Sequence, residues 1–195
     1  VGNKIKPKIT MKTPVFKSQF LVALLVMSIP LMMSCSTTAQ KKEGAPEVDL
    51  QTAVITDNIE AVKQHIAVGS DLNEKDPFGG SSPLITAAIF DKPEMAKLLI
   101  DAGADINFQN NDGSTALISA AFFGRPEIVQ MLLEKGADKT IKNKYGTTAL
   151  DNVTAPFAEV KDVYDMMGNM LSPMGLSLDY AYLEKIRPEI AKMLK

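Results

Sequence analysis

A period of 33 residues constrains what this chain can fold into more than any other feature. Leu84, Leu117 and Leu150 fall 33 apart, as do Ala87 and Ala120, and Gly103 and Gly136. The phrase GSDLN at residues 69–73 returns as GADIN at 103–107 and as GADKT at 136–140. The first interval is one residue longer, and the extra residue falls in Asp76-Pro77-Phe78-Gly79-Gly80, a loop that absorbs an insertion at little cost. A unit this short cannot bury an apolar face alone. Neighbouring copies must stack into one continuous core, so function is expected on a surface.

Each copy reads as two short helices. Pro83, Pro93, Pro126 and Pro188 suit a first helical turn, where the missing N–H has no intrahelical partner, and are expected to start helices. Ser82 and Thr115 stand where an N-cap hydroxyl is needed, and Gly69, Gly103 and Gly136 where a left-handed residue ends the second helix. Between these marks Met95, Leu98 and Leu99, and likewise Ile128, Met131 and Leu132, follow one apolar helical face. Small Ala87-Ala88 and Ala120-Ala121 let paired helices approach closely. Helices of about ten residues do not persist alone in water, so stacking must hold them.

Residues 111–136, NDGSTALISAAFFGRPEIVQMLLEKG, are similar to the ankyrin-repeat pattern DGxTPLHxAAxxGxxEIVxLLLxxG, and residues 79–103, GGSSPLITAAIFDKPEMAKLLIDAG, form a second copy. The chain resembles that family over residues 48–150 and in pieces over 151–195. Ile85 and Ile118 occupy the family's usual His position, and Asp91 replaces its mid-repeat Gly, which requires an unusual turn conformation at Asp91. The resemblance implies an all-α solenoid of stacked helix-turn-helix units with short β-hairpin-like tips. It also implies partner contacts through those tips and through the concave face made by the first helices.

The first copy is the weakest and reads as a cap. Polar Gln64 and His65 stand where later copies carry apolar residues, as a terminal copy with a wettable face requires. His65, the single histidine, has no accompanying partner set and is read as a packed or half-exposed helical residue. The fourth copy begins with KYGTTALDNV at 144–153 and loses the pattern until RPEIAKML at 187–194, close to RPEIVQML at 125–132. Two arrangements fit. Either about 29 residues are inserted between the last two helices, roughly over 155–186, or residues 159–170 form the fourth copy's second helix and 178–195 a degenerate fifth copy. The near-identity at Arg187 favours the insertion. Its methionines and leucines can cover the open end of the stack or grip a partner.

The amino terminus carries a separate signal. Lys12 and Lys17 precede a 14-residue apolar stretch at 20–33, too short for the roughly 20 residues that span a bilayer, so residues 1–34 read as upstream sequence and a secretory signal with Met11 as the expected start. Met32-Met33-Ser34-Cys35 resembles the bacterial lipobox, which implies lipidation of Cys35, the single cysteine, and a membrane-anchored lipoprotein of the cell envelope facing the periplasm or exterior. Export with cleavage after Ala39 is the alternative. Residues 35–47 then form a lipidated tether with almost no large apolar side chain, and residues 48–195 the repeat domain.

From Cys35 onward the chain has 16 Lys and Arg against 23 Asp and Glu, a net charge of −7. Nucleic acid is therefore not an expected partner. With one His and one Cys, no Cys–His pair, Ser–His–Asp triad or His-based metal site can be assembled, and no phosphate-binding Gly-rich motif occurs. No cofactor or metal is expected, and the chain is not read as an enzyme. A carboxylate-based hydrolase in the insertion, near Asp162, Asp165 and Asp179, is an alternative of low weight.

Recognition of an unidentified protein by a monomer is the leading expectation, with an enzyme-protecting or immunity-type inhibitor as a variant. Phe78, Asn111, Ser114, Lys144 and Tyr145, with Lys142, match tip positions. Ile89-Phe90 and Phe122-Phe123 match the end of the first helix, where an exposed apolar stripe would mark a binding site, with one member of each pair expected to be buried.

Overall fold

The computed structural model describes Gly44 and residues 46–195. Cys35, the apolar stretch before it and most of the tether lie outside the described residues. The helices are α1 (Leu50–Ile55), α2 (Ile59–Ala67), α3 (Pro83–Ile89), α4 (Pro93–Asp101), α5 (Ala116–Phe122), α6 (Pro126–Glu134), α7 (Ala149–Thr154), α8 (Phe157–Leu171) and α9 (Tyr180–Leu194), with a 3-10 turn at Ser172–Met174. First helices α1, α3, α5 and α7 pack in order, and α2, α4, α6 and α9 form a second row against them. Among the described residues no strand forms.

The repeated residues do the packing. Leu84 and Leu117 are buried at equivalent places, Ala87, Ala88, Ala120 and Ala121 lie in the helix contacts, and Leu99, Ile128 and Leu132 close the second row. Burying a Leu or Ile side chain is worth about 1.5–3 kcal/mol, so several such positions per copy outweigh the weak intrinsic stability of six- to nine-residue helices. Ser82 and Thr115 cap α3 and α5 by accepting from the N–H of Ile85 and Ile118. Thr148 does the same for α7, where Asp151 completes a capping box. Gly69, Gly103 and Gly136 follow α2, α4 and α6 in the left-handed region.

Polar ties run between copies. Asn73 accepts from the Asp105 N–H and Asn107 from the Asp138 N–H, both at 2.9 Å. At the opposite end, the turns joining paired helices place Asp57, Asp91 and Gly124 at one repeat position, with φ of 55°, 57° and 69°. Lys92 of the second copy pairs with Asp57 of the first, and Arg125 of the third with Asp91 of the second. The demand on Asp91 read from the sequence is thus met, with its carboxylate committed to the next copy. Asp101 links α4 and α6 by accepting from Lys135 at 2.8 Å and Lys97 at 2.5 Å, which together hold its carboxyl down at about 2.

The last copy resolves in favour of the insertion: α9, not α8, lies beside α6 and α7 as the second helix. Pro188, however, does not start that helix. α9 begins eight residues earlier, at Tyr180, because Asp179 caps it by accepting from the Tyr182 N–H at 3.1 Å. The missing Pro188 N–H leaves one carbonyl, that of exposed Glu184, without its helical donor, and water can serve it there. His65 is packed, the first of the two placements read for it, and does not contribute to the wettable face of the first copy. It takes the repeat position of Leu99 and Leu132 and is buried, with Nε2 2.8 Å from the Val48 carbonyl and Nδ1 2.9 Å from the Ser70 hydroxyl. The first contact requires Nε2–H to donate, leaving Nδ1 to accept.

The insertion is docked through one buried tyrosine. Tyr164 stacks on Phe122 with centroids 4.4 Å apart, donates to the Phe122 carbonyl at 2.6 Å and accepts from Arg187 Nη1 at 2.8 Å. Arg187 Nη2 donates to the Ala155 carbonyl at 2.6 Å, and the guanidinium lies 5.8 Å and 6.0 Å from the rings of Tyr164 and Phe157. Burial pushes the Tyr164 phenol above its ordinary pKa, so it stays a donor to Phe122. The amino-terminal half of α9 meanwhile lies across Gly124, where a Cβ would fall 2.7 Å from Leu183 Cδ2 and 3.0 Å from Ile186 Cγ2. Gly124→Ala is therefore expected to lower unfolding free energy by about 2–4 kcal/mol, from left-handed strain of about 1 kcal/mol plus crowding of about 1–3 kcal/mol. Urea denaturation followed by circular dichroism checks this, and a change below about 0.5 kcal/mol would show that α9 does not press on this turn.

Candidate functional site

The tips between second and first helices are largely exposed. Each is built on an Asx turn at one repeat position. Asp76 accepts from the N–H groups of Phe78 and Gly79, Asn110 from those of Asp112 and Ser114, and Asn143 from those of Tyr145 and Thr147. The Asn110 N–H also donates to the Ser114 carbonyl and the Asn143 N–H to the Thr147 carbonyl, the hairpin-like closure expected of such tips. Successive tips are joined by backbone bonds, Asn111 N–H to the Gly79 carbonyl at 3.0 Å and Lys144 N–H to the Asp112 carbonyl at 2.8 Å. Side chains here thus project from fixed backbone.

Phe78 and Tyr145 each stand two residues after the Asx-turn residue of their tip, and Asn111 and Lys144 one residue after theirs. Phe78 is 89% and Tyr145 76% exposed, the highest values among the large apolar side chains described, and Asn111 and Lys144 are exposed. Ser114 is half-buried, its N–H tied to Asn110. A depression of about 510 Å³ runs between the tips, lined by Lys75, Gln109, Asn111, Lys142, Asn143 and Lys144 among others. Lys75 and Gln109 were not foreseen as site residues. A signal for them exists: Lys75, Gln109 and Lys142 each stand one residue before the Asx-turn residue of their tip.

The other half of the sequence reading requires correction. Phe123 is 3% exposed and cannot contact a partner, and Phe122 is half-buried beneath the Tyr164 ring. One member of this pair was expected to be buried, and Phe123 is; Phe122, left as the exposed member of the stripe, is covered by the insertion. Ile89 and Phe90 are both half-buried, so neither member of that pair is fully buried as expected, and Arg125 Nη2 donates to the Ile89 carbonyl at 3.4 Å beside them. The four residues do not form a continuous exposed stripe.

The insertion itself has two faces. Tyr164, Leu176 and Leu183 are buried and close the stack, while Val163, Met166, Met170 and Met174 are between 42% and 60% exposed. Of the carboxylates considered there, Asp165 is paired with Lys161 at 2.8 Å, and the hydrogen bonds from Lys161 and Tyr180 lower its pKa. Asp179 is spent on capping α9. A lowered pKa is the wrong direction for a general acid. Among the described residues no cluster of three His, Cys, Asp or Glu is placed to hold a metal ion, and no helix is long and apolar enough to cross a membrane.

Comparison with known proteins gives a consistent picture. Residues 50–143 match the family model for ankyrin repeats in three copies. A 51-residue stretch is 49% identical to a putative ankyrin repeat protein of Rickettsia bellii, covering 24% of this chain and 7% of that one. A 64-residue stretch is 38% identical to protein phosphatase 1 regulatory subunit 27 of Homo sapiens and of Mus musculus, covering 33% of this chain and 41% of theirs. The matched stretches thus span less than half of these curated relatives. The ankyrin repeat domain of Bcl-3, described as a unique member of the IkappaB protein family, superimposes with a TM-score of 0.51 at 37% identity over 53% of this chain and 45% of that one.

The contrast between the two regions is measurable without a partner. Phe78→Ala and Tyr145→Ala are each expected to change unfolding free energy by less than about 0.5 kcal/mol, as exposed side chains do, whereas Phe123→Ala should cost about 3–5 kcal/mol. Chemical denaturation of the three variants checks the assignment. A large loss for Phe78→Ala would mean that its ring packs rather than waits for a ligand.

Proposed function

This chain belongs to the ankyrin-repeat family, and on that premise we propose that it is a lipid-anchored module that captures a protein partner in the bacterial cell envelope through its tip row. Ankyrin repeats serve protein–protein interaction, so the coarse function follows from the family. The tip row is this chain's own version of it. One observation carries the reading: Phe78 and Tyr145 stand almost fully in solvent on turns whose backbones are hydrogen-bonded to each other. Aromatic side chains on a fixed backbone have only two side-chain torsions to order on binding and supply the largest contributions at interfaces, about 2 kcal/mol or more each.

The envelope location rests on the sequence alone. Lys12 and Lys17, the apolar stretch at 20–33 and Ser34-Cys35 support export and acylation of Cys35. Residues 36–46 would then hold the repeats away from the bilayer. The hydrolase alternative loses support from the commitment of Asp165 to Lys161 and of Asp179 to a helix cap. No comparable competing duty falls on the tip side chains Phe78 and Tyr145.

The test uses the full chain in its native membrane fraction. After mild detergent extraction and affinity capture, mass spectrometry should identify a protein whose recovery falls about tenfold or more with Phe78→Ala plus Tyr145→Ala, at unchanged melting temperature. Recovery equal to that of the wild type would count against the tip row. In the same cells Cys35→Ala should move the chain from the membrane to the soluble fraction, and retention in the membrane would refute anchoring at that residue.

A further inference from the structure

The depression between the tips is lined by three lysines and no carboxylate, in a chain that is acidic as a whole. Against a net charge of −7 from Cys35 onward, Lys75, Lys142 and Lys144 line a single depression between the first, second and third tips. Among the described residues none of the three has a carboxylate within ion-pairing distance. Lys75 instead lies 5.5 Å above the Phe108 ring, which props it against the groove. Lys142 is near enough to Asp151 to lower its pKa, but that carboxylate is held by the Thr148 hydroxyl and N–H.

The nearest tip carboxylates, Glu74, Asp76 and Asp112, lie outside the lining of the groove. Asp76 spends its oxygens on the N–H groups of Phe78, Gly79 and Ser81. Asp112, exposed on the second tip, offsets one of the three cations. Gln109, Asn111 and Asn143 add amides along the same wall. Gln109 Nε2 already donates to the Gly113 carbonyl at 2.7 Å, which sets the amide against the tip backbone.

We propose that this groove binds an extended acidic segment of a protein partner, its carboxylates on Lys75, Lys142 and Lys144 and an apolar side chain against Phe78 or Tyr145. The inference rests on the tip row being the binding surface and adds the chemistry of what binds there. Length follows from the stacking. Packed helices lie about 8–10 Å apart, so three tips span about 20 Å, and an extended chain advances about 3.3 Å per residue, which matches about six residues. A long polyanion fits worse. Beyond the three lysines it would run onto the acidic remainder of the chain, whereas a short segment ends within the three tips. Exposed charges are screened over about 8 Å at physiological salt, so affinity and association rate should fall as salt rises.

The experiment uses two fluorescein-labelled six-residue peptides, each with an aromatic residue at both ends, one carrying four glutamates between them and the other four glutamines. A single-stranded deoxyoligonucleotide of similar length is the third probe. Fluorescence anisotropy with the repeat-containing full chain at low salt should show the glutamate peptide binding about tenfold or more tightly than the glutamine peptide. The difference should vanish at about 0.5 M salt and in the Lys75→Gln, Lys142→Gln, Lys144→Gln variant. All three positions are exposed, so an unchanged melting temperature confirms that the variant is folded; a Lys142→Gln, Lys144→Gln pair gives the same readout if the triple variant is not.

Equal binding of the two peptides would overturn the acidic specificity while leaving an aromatic-lined tip surface intact. Failure of both peptides, or tighter binding of the oligonucleotide through the same lysines, would overturn it as well. Loss of the native partner with Phe78→Ala plus Tyr145→Ala is read in a separate capture, so failure of the tip row and failure of the acidic preference are told apart.

Discussion

Contact between equivalent helices of neighbouring copies is the interaction on which the rest depends. A helix of six to nine residues with one apolar face is not stable in water. Here Leu84 and Leu117 in the first row, and Leu99 and Leu132 in the second, are buried in one core that runs through all the copies. Apolar burial supplies most of the free energy, and the asparagine bonds from Asn73 and Asn107 fix the register in which it is obtained. Each copy is held by its neighbours, and the two ends need special treatment.

The ends are treated differently. At the amino terminus a histidine replaces the core leucine and ties both the preceding strand of chain at Val48 and the following loop at Ser70. At the carboxyl end the insertion folds back onto the turn of the third copy, where Tyr164, Phe122 and Arg187 form one hydrogen-bonded aromatic cluster. This covers apolar surface at Phe122 that would otherwise be open, and leaves Phe78 and Tyr145 on the tips as the most exposed large apolar side chains described. The tips have no helix above them, and their rigidity comes from Asx turns and cross-tip backbone bonds.

Much of this was legible in the residues because it repeats. Caps at Ser82 and Thr115, helix-ending glycines at 69, 103 and 136, and the core leucines are local or periodic features, and each does in the structure what its position requires. Non-repeating features were harder to read. Pro188 sits inside α9 because the capping Asp179 lies upstream, and a proline alone cannot tell a helix start from a tolerated interior position. That neither Phe122 nor Phe123 is left in the open was not legible, because the periodic pattern holds no information on where an insertion folds back. Of the tip residues, Phe78, Asn111, Lys144 and Tyr145 lie in the open as their positions suggested, whereas Lys75 belongs to the groove only through the stacking of separate turns.

Native-state amide hydrogen exchange on Leu117→Ala tests the central claim most directly. Removing that side chain should cost about 2–5 kcal/mol. If neighbouring copies hold each other, protection should fall together across α3, α5 and α7. A loss confined to α5, with α3 and α7 exchanging as in the unaltered protein, would contradict mutual support between copies.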